Sequence, residues 1–318
     1  MTTETAYPNE ISPAPRCLLC GGATAFALER RGFAIVRCAS CGFACAPAAG
    51  AADAARLYAE DEFFFAGRPE TAQRSWYDVL WTRKRPFYLA RLDRIAGFAR
   101  PARVLDIGCA GGYLMRAARE RGWSVEGVEP SPAMRERTRA ALGCPVYESV
   151  EQARAAGGNF DCVMMFEVIE HLADPVAALR AIRDLLAPNG VLALSTPNCD
   201  APGAIDGKPL DIWFVPPIHV SFFNPATLVR CVERAGFAAI ASAGIEGFAG
   251  VLAGEIRLPR WLRAALKPLR RGKRLLPHGA IGKLIERRYA GRIDLHQRRD
   301  PAGIARADVL ELYARRVD

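Results

Sequence analysis

The hydrophobic pattern of the chain alternates short apolar runs with amphipathic segments through its middle part. The runs are typical of buried strands, and they occupy residues 103–106, 123–129, 144–147, 160–166 and 191–198. Helices are predicted between them over residues 131–141 and 175–187. Because strands alternate with helices across short turns, we expect an α/β fold with a parallel sheet covered by helices on both faces.

The segment before this region predicts a long helix. Between Trp76 and Phe98, apolar residues recur at helical spacing, at Val79, Leu80, Phe87, Leu89, Leu92 and Ile95. We expect residues 47–99 to form a helical connector. It would pack on the domain spanning residues 100–256 and cover its ligand as a lid.

Charge sets the C-terminal part apart. Residues 257–318 hold 17 Lys or Arg and 6 Asp or Glu, a net charge of +11, whereas the preceding residues carry −2. Leucines at helical spacing over 257–276 predict a basic helical tail. Such a tail suits peripheral contact with an anionic membrane, or it could pack on the rest of the chain or on a partner subunit. Nucleic acid is a less favoured partner because interleaved aromatic residues are missing.

The chain has no pattern typical of membrane insertion. Its apolar stretches are far shorter than the ~20 residues of a membrane-spanning helix, and its polar start lacks the features of a secretory signal. We therefore expect a cytoplasmic protein, with membrane association through the tail left open. The oligomeric state is not predicted.

Four of the ten cysteines form two close pairs. Cys17 and Cys20 are followed, after 17 residues, by Cys38 and Cys41, and this spacing is typical of a zinc ribbon over residues 14–46. Four thiolates leave no open coordination position, so the zinc would be structural. A redox pair or two unrelated buried pairs are the alternatives.

A glycine-rich turn follows the first strand of the middle region, in the segment RVLDIGCAGGYL (103–114). Small residues there let the backbone approach a ligand that faces the start of the next helix. About twenty residues later the second strand ends at Glu129, placed to accept hydrogen bonds from both hydroxyls of a ribose. The pattern favours a nucleoside-containing ligand over an ordinary turn.

Four segments in order, VLDIGCAGGYL, VEGVEPS, FDCVMMFEVIEHLADP and LLAPNGVLALSTPN, together with HVSFFNPATL, resemble the class I S-adenosylmethionine-dependent methyltransferases over about residues 100–255. The resemblance implies the Rossmann-like seven-stranded sheet of these enzymes, with helices on both faces. With the cysteine pairs in front, the chain is similar to bacterial zinc-ribbon methyltransferases, many of which are encoded among functions of glycan or lipid biosynthesis. Ala110 replaces the central glycine of the family's loop.

The resemblance also implies which residues bind S-adenosylmethionine. Asp106 and Gly108 would contact its methionine end, Gly112 would help to open the loop, and Glu129 would hold the ribose. Glu148 follows the third strand, where an acidic side chain often contacts the adenine amine, but a plain surface role is equally favoured. Phe166 would end the fourth strand beside the cofactor.

The segment FEVIEHLADP (166–175) carries the candidate catalytic residues Glu167, Glu170 and His171. In a helical turn these three side chains would share one face, beside the methyl group of the cofactor. His171 suits a general base for transfer to a hydroxyl group. Glu-x-x-Glu-His also resembles a magnesium-binding motif of ubiquinone-pathway O-methyltransferases and of small-RNA 3′-end methyltransferases. The third alternative is that these side chains only hold the loop.

His219 is the fourth candidate, since it follows a long loop that could fold over the site as base, ligand or cap. In that loop Trp213 and Phe214 could stack on a sugar or act as a lid. The fourth strand lacks the Asn-Pro-Pro-Tyr motif of amine methylation, which favours an oxygen acceptor. We expect O-methylation of a glycan, a lipid-linked sugar or a small metabolite. An RNA-directed enzyme, or a protein of this fold that only binds, are the alternatives.

Overall fold

The computed structural model describes residues 15–49, 70–201, 215–246, 296–298, 304 and 307–317. The predictions for Trp213, Phe214 and residues 257–276 lie outside this part of the chain. Its strands are β1 Thr24–Arg30, β2 Phe33–Cys38, β3 Ala44–Cys45, β4 Arg103–Ile107, β5 Ser124–Val128, β6 Val146–Tyr147, β7 Phe160–Phe166, β8 Leu186–Pro197, β9 Ser221–Phe222, β10 Phe237–Glu246, β11 His296–Arg298 and β12 Val309–Arg316. Its helices are α1 Glu70–Ala96, α2 Tyr113–Glu120, α3 Pro132–Leu142, α4 Val150–Ala155, α5 Pro175–Arg183 and α6 Pro225–Arg234.

The larger sheet confirms the predicted α/β architecture. Its order is β11-β10-β12-β8-β7-β4-β5-β6. The five strands from β8 to β6 in this order run parallel to one another. The parallel strands are almost continuously buried, as expected where helices cover both faces. Seven strands form the expected sheet, and the short β11 adds an eighth at its edge.

The prediction of a helical tail that begins at residue 257 needs correction at its end. Strand β12, over residues 309–316, lies between β10 and β8 and is antiparallel to both. Its first six residues are buried, so it is a central strand of the sheet. The methyltransferase-type domain therefore does not end at residue 256. The high net charge of residues 257–318 concealed this short apolar segment.

The helix expected between Trp76 and Phe98 is present as α1, and it is longer than expected. Leu92 and Ile95 are buried in its second half. The ring of Tyr113, at the start of α2, lies nearly parallel to Trp81, with centroids 6.5 Å apart, and to Tyr88 at 6.3 Å. The helix therefore packs beside the start of the helix that follows the glycine-rich loop.

A second, four-stranded sheet contains the cysteine pairs. Its order is β1-β2-β3-β9, and all of its pairings are antiparallel. Strands β1 to β3 come from the N-terminal region, whereas β9 follows His219 in the middle of the chain. The small N-terminal sheet is thus extended by a strand of the larger domain. In the part of the chain that the structure describes, no helix is long and apolar enough to cross a membrane.

Candidate active site

The two cysteine pairs form matching turns. Cys17 N–H donates to Gly22 O at 2.9 Å, and Cys38 N–H donates to Phe43 O at 2.8 Å. In each turn the glycine after the second cysteine has a positive φ, +70° at Gly21 and +81° at Gly42. The sequence and the backbone therefore repeat one local geometry twice.

The four sulfurs of these turns converge. Cys17 Sγ lies 3.5 Å from Cys41 Sγ, Cys20 Sγ lies 3.4 Å from Cys38 Sγ, and all four atoms lie within 4.8 Å of one another. A tetrahedral zinc ion with Zn–S bonds of ~2.3 Å needs sulfurs about 3.8 Å apart. Although burial opposes the thiolate, N–H groups of the Cys41 turn help to lower the pKa of Cys38 to about 6. The donor set fits a closed four-thiolate zinc site.

The glycine-rich loop after β4 has three residues at positive φ, Gly108, Ala110 and Gly112, at +70°, +43° and +71°. A Cβ added at Gly108 would lie 2.5 Å from Val168 Cγ2. One added at Gly112 would lie 2.7 Å from Thr138 Cγ2. Both glycines are therefore required by close packing as well as by their backbone conformation.

Ala110 occupies a left-handed conformation that L-residues rarely adopt. Its N–H donates to Glu129 Oε2 at 2.8 Å, and its carbonyl accepts from Thr138 Oγ1 at 2.6 Å. These two bonds hold the peptide from both sides. The surrounding structure therefore imposes a strained conformation on this residue.

Glu129 lies at the end of β5, and it is only 3% exposed. Its Oε1 accepts from Ser131 N–H at 2.8 Å, while Oε2 accepts from Ala110 N–H. Burial raises the pKa of this carboxyl, and the two N–H donors and Arg135 oppose that rise. Each carboxylate oxygen retains acceptor capacity beyond its bond to a backbone N–H.

The other residues predicted on the cofactor side differ in their surroundings. Asp106 is buried at the end of β4, and burial followed by the charge of Glu129 raises its pKa to about 8. The ring of Phe166 faces the guanidinium of Arg91, whose Cζ lies 4.1 Å from the ring centroid. The Glu148 side chain is 60% exposed, and Oε2 lies 3.6 Å from Arg135 Nη2.

The candidate catalytic segment forms a single 3₁₀ turn, Ile169–His171, between β7 and α5. Asp174 caps α5 by accepting from Ala177 N–H at 2.9 Å, as the sequence predicts. Glu167 has a φ of +57° and accepts from Ser195 Oγ at 2.5 Å through Oε1. Its Oε2 is buried and has no hydrogen-bond partner among the residues that the structure describes.

The turn brings Glu170 and His171 to His219. One ligand atom of each residue lies within 4.8 Å of the others, and the two imidazole rings pack edge to face with centroids 4.7 Å apart. Glu167 is not part of this group, since its near oxygen is bound to Ser195. The structure therefore brings together three of the four candidate catalytic residues.

Burial governs the ionisation of this cluster. It raises the pKa of Glu170 well above its ordinary value, an effect that the charge of Glu167 reinforces, although Thr196 Oγ1 donates to the carboxyl at 3.1 Å. It lowers the pKa of His171, against the opposing effect of backbone carbonyls at Ile218 and Glu167. A neutral imidazole therefore lies beside a carboxyl group that favours its proton.

The tautomer of His171 follows from one contact. Its Nδ1 lies 2.8 Å from Ile218 O. A carbonyl oxygen only accepts, so Nδ1 carries the proton and donates it. In the neutral ring the lone pair then resides on Nε2, the nitrogen that can accept a proton.

Comparison with known proteins decides the family. Residues 80–242, about half of the chain, match the family described as "Methyltransferase domain". The chain belongs to this methyltransferase family. Its larger sheet is the Rossmann-like sheet of the class I S-adenosylmethionine-dependent enzymes, as the motifs imply.

Two relatives of this chain are named ubiquinone biosynthesis O-methyltransferase. That of Dinoroseobacter shibae is 32% identical over 156 residues, which are 45% of this chain and 62% of the relative. That of Xanthomonas campestris is 41% identical over 117 residues, 34% of this chain and 49% of the relative. The chain therefore spans less than two thirds of the length of either relative.

Among solved structures, the chain is similar to 1,6-didemethyltoxoflavin-N1-methyltransferase from Burkholderia thailandensis. The two are 18% identical, with a TM-score of 0.48, and the alignment covers 92% of this chain and 99% of that one. A protein from Thermotoga maritima, described as a possible histamine N-methyltransferase, is 17% identical, with a TM-score of 0.48 over 77% of this chain and 94% of that one.

The sequence reasoning missed a buried ion-pair network that joins Arg91 and Arg94 to Glu311. Arg91 Nε donates to Glu311 Oε1 at 2.5 Å, and Arg94 Nη2 donates to Glu311 Oε2 at 2.7 Å. Arg91 Nη2 also reaches Ser195 Oγ at 3.3 Å, and Ser195 donates to Glu167. The network ties α1 and β12 to the candidate site.

A sequence signal for this network existed. Arg91 lies on the apolar face of α1, four residues after Phe87 and four before Ile95. Glu311 interrupts the apolar strand VLELY in the same way. A charge of each sign within a buried pattern predicts a buried pair, because an unpaired buried charge is costly.

Proposed function

We propose that the protein transfers the methyl group of S-adenosylmethionine to a hydroxyl oxygen of a small-molecule acceptor. The single observation that carries this proposal is the Glu170–His171–His219 cluster after β7, at the carboxyl edge of the sheet where the glycine-rich loop also lies. In such sheets ligands bind at that edge. The relatives named O-methyltransferases support oxygen as the acceptor atom.

On the cofactor side, the chain's own residues would bind and orient S-adenosylmethionine. Glu129 would accept hydrogen bonds from the ribose hydroxyls, and Asp106 with Gly108 would lie beside the methionine end. Phe166 ends β7 between this loop and the His171 turn. Gly112 would act indirectly, since it keeps α2 packed against α3. Glu148 remains a proposed contact for the adenine amine.

On the acceptor side, His171 would take the proton of the attacking hydroxyl at Nε2. Burial lowers its pKa, so the ring is neutral at pH 7 and ready to accept. The proton on Nδ1 is held by Ile218 O, which fixes the ring plane. His219 packs against the ring and would limit its rotation. Glu170 would orient the turn as a neutral acid through Thr196.

Metal assistance by magnesium is the weaker reading of the same cluster. Magnesium prefers carboxylate, phosphate and water oxygens, whereas this group offers two imidazoles and a single carboxyl group. The second carboxyl group of the motif, Glu167, is committed to Ser195 through its near oxygen. The donor set therefore supports a base more than a magnesium site.

The cysteine cluster supports a structural zinc ion. Cys17, Cys20, Cys38 and Cys41 would hold it with four thiolates and no exchangeable position. Such an ion stabilises the fold of the ribbon, because it binds only when the four sulfurs are brought together.

The acceptor class is proposed more coarsely than the reaction. A phenolic or sugar hydroxyl on a small metabolite fits a base of this kind, and a ubiquinone-pathway phenol is the first to test because of the named relatives. Glycans and lipid-linked sugars come next. An RNA acceptor would require binding that weakens steeply with salt. A protein that only binds would take up S-adenosylmethionine without transferring its methyl group.

The decisive experiment measures transfer of a radiolabelled methyl group to catechols, nucleotide sugars, polyprenyl-linked glycans and RNA. Two variants then separate the roles of His171. In His171→Asn the side-chain amide can still donate to Ile218 O, whereas in His171→Gln the amide reaches toward the position of Nε2. Neither is a base at neutral pH, so both should lower kcat at least 100-fold while affinity for S-adenosylhomocysteine stays within twofold.

The pH profile adds an independent check. Because the pKa of His171 is lowered, the base is lost only in acid: kcat/KM should be flat above pH 7 and fall tenfold per unit below a pKa under about 6.5. If His171→Asn retains wild-type turnover, the ring only holds the turn. If the wild type transfers no methyl group to any acceptor yet binds the cofactor, the binding-only alternative is correct.

A further inference from the structure

The cysteine-containing sheet contacts the segment that carries His219. Strand β3 pairs with β9 at Ala44↔Phe222 and Cys45↔Ser221, and Ala46 N–H donates to Val220 O at 2.9 Å. We propose that this N-terminal ribbon, residues 15–46, is a positioning element for the acceptor side of the active site. It would hold residues 218–221 where His219 meets His171 and Glu170.

The opposite side of the same segment is bound to the catalytic turn. Val220 N–H donates to Glu170 O at 2.8 Å, and Ser221 Oγ donates to Leu172 O at 2.8 Å. Two residues before Val220, Ile218 O accepts from His171 Nδ1. Residues 218–221 therefore lie between the ribbon and the 3₁₀ turn. Val220 bonds to both, since its carbonyl oxygen accepts from the ribbon and its N–H donates to the turn.

Packing and charge add to these backbone contacts. The rings of Phe43 and Phe223 are both buried, with centroids 5.3 Å apart. At the surface, Asp200 accepts from Arg37 of β2 at 2.8 Å and from Asn224 Nδ2 at 2.9 Å. The ribbon is thus fixed to the domain at both ends of β9, and a shift of the ribbon must move the His219 segment with it.

The cofactor loop has other supports. The N–H groups of Gly108 and Cys109 donate to Val128 O, and Ala110 bonds to Glu129 and Thr138. All of these partners belong to β5, its end or α3. A disturbance that starts at β3 should therefore reach His219 and spare the binding of S-adenosylhomocysteine. This asymmetry distinguishes a positioning role from general stabilisation of the fold.

Ala46→Pro in the full zinc-loaded protein tests the inference, because it removes the N–H that bonds to Val220 O. Ala46→Gly keeps that N–H at the same position. Ala27→Pro is the matched control, since Ala27 is exposed at the irregular pairing of β1 with β2, on the far side of the ribbon from β3. Phe43→Leu is a second, milder variant that removes the ring contact with Phe223 but keeps an apolar side chain.

Five readouts decide the outcome. Ala46→Pro should raise amide exchange in a peptide containing Val220 at least tenfold and shift the ring ¹H signals of His171 and His219. Zinc content and affinity for S-adenosylhomocysteine should stay within twofold, while kcat falls at least tenfold. Phe43→Leu should change the same quantities in the same direction but less. Ala46→Gly should stay close to the wild type in exchange at Val220, and Ala27→Pro in all five readouts.

The inference is overturned if exchange and the histidine signals are unchanged in Ala46→Pro, or if they change while kcat stays constant. A parallel loss of cofactor affinity would also overturn it, since the effect would then be a general loss of the fold. The positioning role rests on the function proposed for His171 and His219, yet the two can fail separately. A wild type without transferase activity refutes the function, whereas exchange at Val220 still reports whether the ribbon holds the segment.

Discussion

The cofactor side and the acceptor side of the site are built in different ways. The cofactor side uses neighbouring strands and one short loop: Ala110, Glu129 and Thr138 lie within 29 residues of one another and bond directly. The acceptor side brings together residues that are far apart in the sequence, from Glu170 and Ser195 to His219 and Glu311. The N-terminal ribbon pairs with it through β3 and β9. A binding site for a common cofactor can be local, whereas the site for a particular acceptor depends on distant parts of the chain.

The largest effect should come from breaking the support of the acceptor side. Cys38→Ala removes one of four thiolates, and a structural zinc site contributes on the order of 10 kcal/mol to the folding of such a unit. We expect loss of zinc, a ribbon that no longer protects Val220 from exchange, and loss of turnover by at least 100-fold. Zinc content, amide exchange and kcat measure these changes.

Cys45→Ala is the matched control for that variant. Cys45 lies in β3 beside the cluster, but its sulfur is not among the four that lie within 4.8 Å of one another. Zinc content should be unchanged in Cys45→Ala. If this variant loses zinc and Cys38→Ala keeps it, the assignment of the four ligands is wrong.

A smaller effect is expected on the cofactor side. Glu129→Gln keeps the shape of the side chain but removes the charge that accepts from two N–H groups and, in the proposed complex, from ribose. Loss of charge-assisted hydrogen bonds costs about 2 kcal/mol, which is roughly a thirtyfold loss of affinity. Calorimetry with S-adenosylhomocysteine measures it, and kcat at saturation should fall less than threefold.

Glu148→Gln provides the comparison within the same region. Its carboxylate is largely exposed, and its ion pair with Arg135 is loose, at 3.6 Å. The affinity for S-adenosylhomocysteine should therefore change less than threefold. A thirtyfold loss in Glu148→Gln would establish the adenine contact that the family motif implies. Equal and small effects in both variants would contradict the ribose assignment of Glu129.

The same division separates what could be predicted from the sequence. The parallel strands, the glycine-rich loop, the Asp174 cap and the convergence of the four cysteines follow from spacing within short segments. The pairing of β3 with β9 and the place of β12 in the sheet join residues more than 100 positions apart. No local pattern encodes such a pairing. In β12 it was also obscured by the positive charge of the surrounding tail.

The ion pair of Arg91 and Glu311 could be predicted only in part from the sequence. Each residue alone reads as an interruption of an apolar pattern, and only the fold places α1 across β12. The Glu170–His171–His219 cluster lies between these extremes. His171 and Glu170 were adjacent in a recognisable motif, but the approach of His219 depends on the path of the loop before β9.

The smallest effect should come from a substitution at Ala110, which tests how rigidly the glycine-rich loop is held. Its φ of +43° is imposed by bonds to Glu129 and Thr138, and glycine adopts this conformation without a clash of Cβ. Ala110→Gly should therefore stabilise the protein by about 1 kcal/mol, a rise in Tm of a few degrees. Gly108→Ala is the opposed variant, since its Cβ would overlap Val168 and lower Tm. Cofactor affinity in Ala110→Gly should rise at most a fewfold. A fall in Tm would mean that alanine restrains the unfolded chain more than it strains the native loop, and that the loop is less rigid than its hydrogen bonds imply.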